Sequence, residues 1–156
     1  MVPSHYPKSN PIDGINELCH NSSTILHLNI RECNQLTDSS ICNIIRFCPH
    51  LESLDVTYCP ITSETMLSLQ KNPILSTFHL FPYIYFSIET LKLGWCSLLP
   101  EDSLAETLSK LTNLQSLDVS WRSLEPVTLA QLSKYCTNLA TLDISSNEFS
   151  RKFHLP

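Results

Sequence analysis

The chain is poor in glycine and in charged residues, and it lacks the common catalytic motifs. Gly14 and Gly94 are its two glycines, so it has no glycine-rich loop for binding phosphate. Charged residues make up 16% of the chain, and the net charge of −5 contains no basic block. We therefore expect no nucleic-acid partner. Gly-x-Ser-x-Gly, His-Glu-x-x-His and Cys-x-x-Cys are all absent. The sequence predicts no enzyme, no cofactor and no metal.

Long apolar runs are also missing. The most apolar segment, residues 74–88, spans only about fifteen residues and contains His79 and Pro82, so it is too short and too interrupted to cross a bilayer. Residues 1–11 are polar and proline-rich and carry no apolar core of a signal peptide. We predict a soluble protein of the cytoplasm or nucleus, with no membrane partner and with residues 1–11 as a disordered tail.

The chain does have a repeated motif, Leu-x-x-Leu-x-Leu, in which Ile or Val can replace Leu. Its central leucines are 26, 37, 26 and 25 residues apart. A period in the twenties predicts a leucine-rich-repeat solenoid. The expected fold class is α/β, a ribonuclease-inhibitor-like horseshoe segment with parallel strands on the concave face and helices on the convex face. The five copies of the motif are Ile25-Leu28-Ile30, Leu51-Leu54-Val56, Ile88-Leu91-Leu93, Leu114-Leu117-Val119 and Leu139-Leu142-Ile144.

Each repeat reads as a strand, a turn and a helix. A cysteine lies three residues after the last aliphatic of three strands, and Arg122 and Asn147 occupy the same slot in the other two. Cysteines in repeated structural slots indicate buried, reduced thiols rather than disulfides. Thr37 or Asp38 is suited to cap the first helix. In the repeat of the third strand, Leu98 after Cys96 is assigned the turn position that Leu36 has in the first repeat. The three cysteines of the slot are Cys33, Cys59 and Cys96.

The predicted repeat domain covers residues 12–150, with about five repeats and an irregularity at residues 72–90. Leu75-Phe78-Leu80 stands where a strand is due, yet Ile88-Leu91-Leu93 follows thirteen residues later. The segment is read as a degenerate repeat, an insertion, or a gene-model or splice irregularity, and the first reading is preferred. Residues 151–156 read as a tail or truncated repeat. Neither end reads as a polar cap, which favours a fragment or short isoform of a longer array.

Two repeats carry a resemblance to a known family. Residues 48–63, and likewise residues 28–38, resemble the cysteine-containing class of leucine-rich repeat that is best known from F-box/leucine-rich-repeat proteins. The resemblance covers about residues 15–150. It implies a protein substrate held on the concave face, for ubiquitin-dependent degradation by an SCF ligase. In that family an F-box upstream of the repeats docks the ligase, and this sequence contains no evident F-box, so ligase subunits would be reached through a longer N-terminal region. A ligase-independent scaffold or inhibitor is the alternative.

The outward strand positions form the predicted binding surface, because stacked strands line the concave face of a solenoid. Three aromatic residues share one repeat position and would form a binding hot spot if exposed. The alternative, which is the preferred reading, is that they pack over the strand-to-turn edge and close the solenoid. Three aspartates of another column could favour a basic partner, or be solvated and bonded locally. The candidate partner-binding residues are Arg31, Asp55, Tyr58, Lys92, Trp95, Asp118, Trp121 and Asp143.

Overall fold

The computed structural model describes residues 24–70 and 88–147, together with residues 14, 15, 17, 18 and 21. Within them, strands and helices alternate along the chain, which confirms the predicted α/β leucine-rich-repeat solenoid. The five strands form one parallel sheet in the order β1-β2-β3-β4-β5. The elements are β1 (His27–Asn29), α1 (Asp38–Phe47), β2 (Ser53–Asp55), α2 (Ser63–Gln70), β3 (Thr90–Lys92), α3 (Glu101–Leu108), β4 (Ser116–Asp118), α4 (Pro126–Tyr135) and β5 (Thr141–Asp143).

The central leucine of each copy of the motif is the central residue of a strand, and these leucines are paired in register along the sheet. The side chains of Leu54, Leu91 and Leu117 lie in the core. β3 pairs directly with β2, so the long spacing between Leu54 and Leu91 leaves no gap in the sheet. Residues 72–87 of the irregular segment lie outside the described residues, and so do the predicted tails at residues 1–11 and 151–156.

The slot after each strand ties one repeat to the preceding one. The thiol of Cys59 donates to the carbonyl oxygen of Ile30 at 3.1 Å, and the thiol of Cys96 donates to that of Val56 at 3.2 Å. The amide of Asn147 donates in the same way to the carbonyl oxygen after β4, at 3.0 Å. The six described cysteines are all free, four of them buried and two half-buried, so the prediction of reduced thiols holds for them.

Two helices receive capping hydrogen bonds from a carboxylate of the preceding repeat. Thr37 is the N-cap of α1, but its side chain makes no cap hydrogen bond. Asp38, the first residue of α1, instead accepts hydrogen bonds from the backbone N–H groups of Thr62 and Thr65, at 2.9 and 3.2 Å, at the start of α2. The expectation that Thr37 or Asp38 caps α1 through its side chain is therefore wrong, because the carboxylate satisfies the next helix instead.

The fourth helix is capped from the preceding repeat in the same way. Glu101, the first residue of α3, accepts hydrogen bonds from the backbone N–H of Glu125, at 3.0 Å, and from the hydroxyl of Thr128. Leu99, with 4% of its surface exposed, enters the core before α3, whereas Leu98 is 59% exposed. The prediction placed Leu98 there and is off by one residue, because this turn is as long as the one that buries Leu36.

Candidate functional site

A column of three aromatic side chains runs along one edge of the sheet. Tyr58, Trp95 and Trp121 each lie three residues beyond their strand and occur on neighbouring repeats. The rings of Tyr58 and Trp95 stack with centroids 5.0 Å apart, and those of Trp95 and Trp121 with centroids 4.5 Å apart. Their exposed fractions are 38%, 39% and 51% in chain order. The rings therefore pack on one another and face solvent at once; we call them the aromatic column.

The backbone beneath the aromatic column has an uncommon conformation. The residue at this position has a positive φ of 56–62° in all five repeats: Glu32, Tyr58, Trp95, Trp121 and Ser146. A left-handed conformation costs an L-residue about 1–2 kcal/mol, and glycine would avoid that cost. The turn itself therefore does not require the aromatic rings.

The left-handed turn does have a structural role. It directs the backbone N–H of Tyr58 to the carbonyl oxygen of Gly94 at 3.0 Å, and that of Trp95 to the carbonyl oxygen of Ser120 at 3.1 Å. The N–H of Trp121 reaches the carbonyl oxygen of Ser145 at 2.9 Å. Hydrogen bonding between repeats thus continues beyond the strands, which holds the aromatic column on a rigid backbone.

The two ends of the aromatic column differ. At one end the guanidinium of Arg31 lies over the ring of Tyr58, 5.8 Å from its centroid, and its Nε is 3.1 Å from a carboxylate oxygen of Glu32. At the other end the next position in the column is Ser146, which has no ring. An open groove of about 500 Å³ lies there, lined by Trp121 and Ser146 among others.

The predicted acidic column is bonded locally. Asp55, Asp118 and Asp143 each accept a hydrogen bond from the backbone N–H two residues later, at 3.1, 2.9 and 2.9 Å. Asp55 is buried, with 7% exposed, and lies 3.5 Å from the Nζ of Lys92. Asp55 and Lys92 therefore neutralise each other. The expectation that the alternate strand positions all point outward is wrong for Asp55, and it is also wrong for Thr57 and Ser120, which stand at the next alternate position and are buried.

Asp118 and Asp143 keep their charge available at the surface. They are directly paired in register on β4 and β5, and neither forms a salt bridge with any residue of the described segments. Asp118 is half-buried and Asp143 is exposed. Hydrogen bonds from the backbone and side chain of Ser145 lower the pKa of Asp143. Both carboxylates lie on strands that lead into the groove end of the aromatic column.

Gly94 makes room for Asp118 and for its neighbour Ser120. A Cβ at Gly94 would lie 2.9 Å from the hydroxyl of Ser120 and 3.3 Å from both carboxylate oxygens of Asp118. These contacts are too close for any other residue without a shift of the neighbouring side chains. The missing side chain at Gly94 thus lets Asp118 and Ser120 lie against the β3 turn.

The structure also shows a role for Arg122 that the sequence did not indicate. Its Nη atoms donate to the carbonyl oxygens of Cys96 and Leu99 at 2.5 and 2.7 Å, and burial lowers its pKa. Burial also raises the pKa of the Cys96 thiol to about 12. Arg122 thus holds the preceding turn from a slot that elsewhere carries cysteine or asparagine. Its position in the slot could be read from the repeat spacing. The spacing does not predict, however, which carbonyl oxygens the long side chain of Arg122 contacts.

The described residues contain no cluster of three His, Cys, Asp or Glu side chains suited to a metal ion. In the same part of the chain, no helix is long and apolar enough to cross a membrane. Of the eight predicted site residues, the structure joins Arg31 to the aromatic column and pairs Asp55 with Lys92. It leaves Asp118 and Asp143 as a separate pair.

One of the comparisons with known proteins bears on the fold. A family model described as "Leucine Rich repeat" matches residues 47–69, which run from the end of α1 through β2 into α2. One repeat of the chain therefore matches the leucine-rich-repeat pattern, in agreement with its fold. Its relatives include the F-box protein SKIP19 of Arabidopsis thaliana, 26% identical over 137 residues, or 85% of this chain. This leucine-rich-repeat chain spans 40% of the length of SKIP19. Among solved structures it is similar to the tropomodulin C-terminal domain of Caenorhabditis elegans, with 12% identity, a TM-score of 0.41, and coverage of 88% of this chain and 65% of that one.

Proposed function

We propose that this leucine-rich-repeat chain is a protein-interaction module that recognises substrates for SCF-dependent ubiquitination. The repeats and the F-box relative point to an interaction module rather than an enzyme. The partner would be a protein held on the strand face and the aromatic column. A cytoplasmic or nuclear location, predicted from the sequence, is compatible with this function.

The exposed aromatic column carries the proposal. Three stacked rings with more than a third of their surface in solvent offer a rigid apolar patch at the edge of a sheet. Tryptophan and tyrosine are the residues most enriched where binding energy concentrates in protein interfaces. Stacking removes much of the side-chain freedom that binding would otherwise have to remove, so a partner meets a preorganised surface.

The link to the ligase is supported by the relative named an F-box protein and by the resemblance of the repeats to the F-box/leucine-rich-repeat family. It is tested by affinity purification of the tagged chain from cells, followed by mass spectrometry. Recovery of the SCF adaptor and cullin is the expected result. Recovery of other proteins without those subunits would support the ligase-independent scaffold or inhibitor and would contradict the ligase role.

A matched pair of variants tests the aromatic column in the same purification. Trp95→Gly removes the central ring at a position where glycine suits the backbone, so the fold is expected to persist. Val127→Ala removes exposed apolar surface from α4, away from the column, and serves as the control. Loss of the co-purified substrate with Trp95→Gly but not with Val127→Ala is expected. Equal recovery with both variants would remove the column from the binding site.

A further inference from the structure

We infer that the groove end of the aromatic column, together with Asp118 and Asp143, binds an arginine-bearing basic segment of a protein partner. The inference rests on the proposed interaction function and specifies the chemistry of the partner. Its elements are the ring of Trp121, the groove beside Ser146 and the two aspartates paired across β4 and β5. The aspartates lie outside the lining of the groove, three residues before Trp121 and Ser146 on the strands that lead to these two residues. We call this set the Trp121 end.

The opposite end of the column shows how such a ligand would bind. There the guanidinium of Arg31 lies over Tyr58 and is held by the carboxylate of Glu32. A planar cation thus covers the last ring and pairs with an adjacent acid. At the Trp121 end the next column position is Ser146, which provides neither ring nor cation, and Trp121 is the most exposed ring of the three. Tryptophan is also the ring that best attracts a cation.

Charge complementarity selects a basic partner. Two carboxylates on neighbouring strands repel each other, and a cation placed between them would relieve that repulsion. Lys92 is paired in register with Asp118, but its Nζ lies within ion-pair distance of Asp55 and not of Asp118. One cation therefore lies beside the three carboxylates of Asp55, Asp118 and Asp143, and the surface keeps a net negative charge. Hydrogen bonds from Ser145 lower the pKa of Asp143, so that carboxylate is ionised at neutral pH.

The one cation that lines the groove does not oppose a basic ligand strongly. Arg122 directs its Nη atoms into the preceding turn, toward the carbonyl oxygens of Cys96 and Leu99. Glu101, another lining residue, balances its charge. The groove itself is therefore close to neutral, and the net negative charge of the surface comes from Asp118 and Asp143.

Arginine fits this surface better than lysine. Its planar guanidinium can stack on an indole ring while its N–H groups face a carboxylate, whereas the ammonium of lysine is a compact, strongly hydrated charge. An acidic segment would be repelled by the aspartate pair. A second copy of this chain is the competing occupant of an exposed apolar edge, and the experiment separates it from a basic segment.

The test measures fluorescence anisotropy of a labelled Gly-Ser-Arg-Ser-Arg-Ser-Gly peptide with the full chain at low salt, up to about 1 mM protein. Peptides with lysine or glutamate in place of both arginines are compared. We expect affinity to decrease from arginine to lysine and to vanish with glutamate, and to decrease as salt rises. Equal affinity for the arginine and glutamate peptides, or no binding of either, would overturn the inference.

Variants locate the binding. Trp121→Gly and Asp143→Asn are each expected to weaken arginine-peptide binding about 3- to 10-fold, the range of a partly exposed cation–π or ion-pair contact. Asp102→Asn removes the same charge from the exposed first turn of α3 and is expected to leave binding unchanged. Circular dichroism confirms that each variant is folded. Equal weakening by Asp143→Asn and Asp102→Asn would mean non-specific attraction and would contradict the site.

Sedimentation of the unmodified chain and of Trp121→Gly tests the competing occupant. A dimer that dissociates on this substitution would assign the Trp121 end to a second copy and overturn the basic-segment inference. The outcomes also separate this inference from the proposed function. If Trp95→Gly loses its substrate but the arginine peptide does not bind, the interaction module stands and the basic partner does not. Peptide binding without ligase subunits would contradict only the link to SCF.

Discussion

At the scale of single residues, the backbone and the side chain of the left-handed turn residues have separate roles: the backbone holds the fold together, and the side chain forms the exposed surface. Tyr58, Trp95 and Trp121 have φ of 62°, 59° and 57°, a region that disfavours residues with a Cβ. Their backbone N–H groups hold the next repeat, and their rings hold one another. A substitution at one of these positions can therefore remove the ring and keep the backbone strain, or remove both.

This difference gives a prediction at Trp95. Both Trp95→Ala and Trp95→Gly remove the stacked ring, but only glycine adopts a positive φ freely. We expect Trp95→Gly to be more stable than Trp95→Ala by about 1 kcal/mol in urea unfolding, since that is the scale of the left-handed penalty. Equal stability, or a less stable glycine variant, would show that the turn relaxes out of the left-handed region once the ring is lost.

A second residue-scale prediction concerns the buried thiols. Cys96→Ala removes the thiol that donates to the carbonyl oxygen of Val56, although that oxygen keeps its hydrogen bond from the backbone N–H of Cys59 at 2.9 Å. The loss of one buried hydrogen bond should lower the free energy of unfolding by about 1 kcal/mol. Cys42→Ala is the control outside the slot. The thiol of Cys42 lies 3.8 Å from the carbonyl oxygen of Glu64 and accepts a hydrogen bond from the hydroxyl of Ser68 at 2.8 Å, but it is half-buried, so water can replace these contacts. The control is expected to cost less than half as much. A larger cost for Cys42→Ala would contradict a structural role for the slot.

At the scale of elements, the carboxylates that join helices of adjacent repeats are the most informative contacts. Asp38 accepts hydrogen bonds at the start of α2, and Glu101 accepts them at the start of α4. Burial opposes ionisation of Asp38, but the hydrogen bonds from Thr62 and Thr65 outweigh it and lower its pKa. The folded state therefore favours the charged carboxylate.

This element-scale contact predicts a pH dependence. Because the pKa of Asp38 is lower in the folded chain, its stabilisation is fully present above the ordinary value of 3.8 and is lost as pH falls through the lowered pKa. Asp38→Asn should cost about 1 kcal/mol at pH 7, a typical loss for a helix cap partly screened by solvent. The difference from the unmodified chain, measured by urea unfolding, should shrink below pH 3.8. A difference independent of pH would contradict the role of the charge.

The strands could be predicted from the sequence, whereas several contacts between repeats could not. The leucine spacing predicted all five described strands, because Leu28, Leu54, Leu91, Leu117 and Leu142 each occupy the centre of one. It also grouped the three aromatic residues. It did not predict that Asp38 caps the following helix, nor that Asp55 is buried against Lys92. Those contacts depend on how adjacent repeats are positioned relative to each other in space. The spacing of leucines along the chain does not predict that relative position.

At the scale of the whole molecule, each repeat contacts mainly its neighbours, so stability should vary with position. A solenoid is approximately a sum of repeat stabilities and nearest-neighbour interfaces. β3 lies between β2 and β4, and its Leu91 is fully buried. β5 has only β4 beside it among the described strands, and its Leu142 is 39% exposed.

Equivalent leucines of the same repeat pattern should therefore differ in energy. We expect Leu91→Ala to lower the free energy of unfolding by about 2–5 kcal/mol, since it leaves a cavity in the core. Leu142→Ala should lower it by about 1 kcal/mol or less, because that side chain keeps much of its solvent contact in the folded state. Hydrogen exchange gives an independent readout: amides of β3 should exchange only with global unfolding, and those of β5 by local opening. Equal losses for the two variants and uniform protection would mean that the last strand is covered as fully as the middle one, and the solenoid would then behave as one cooperative block.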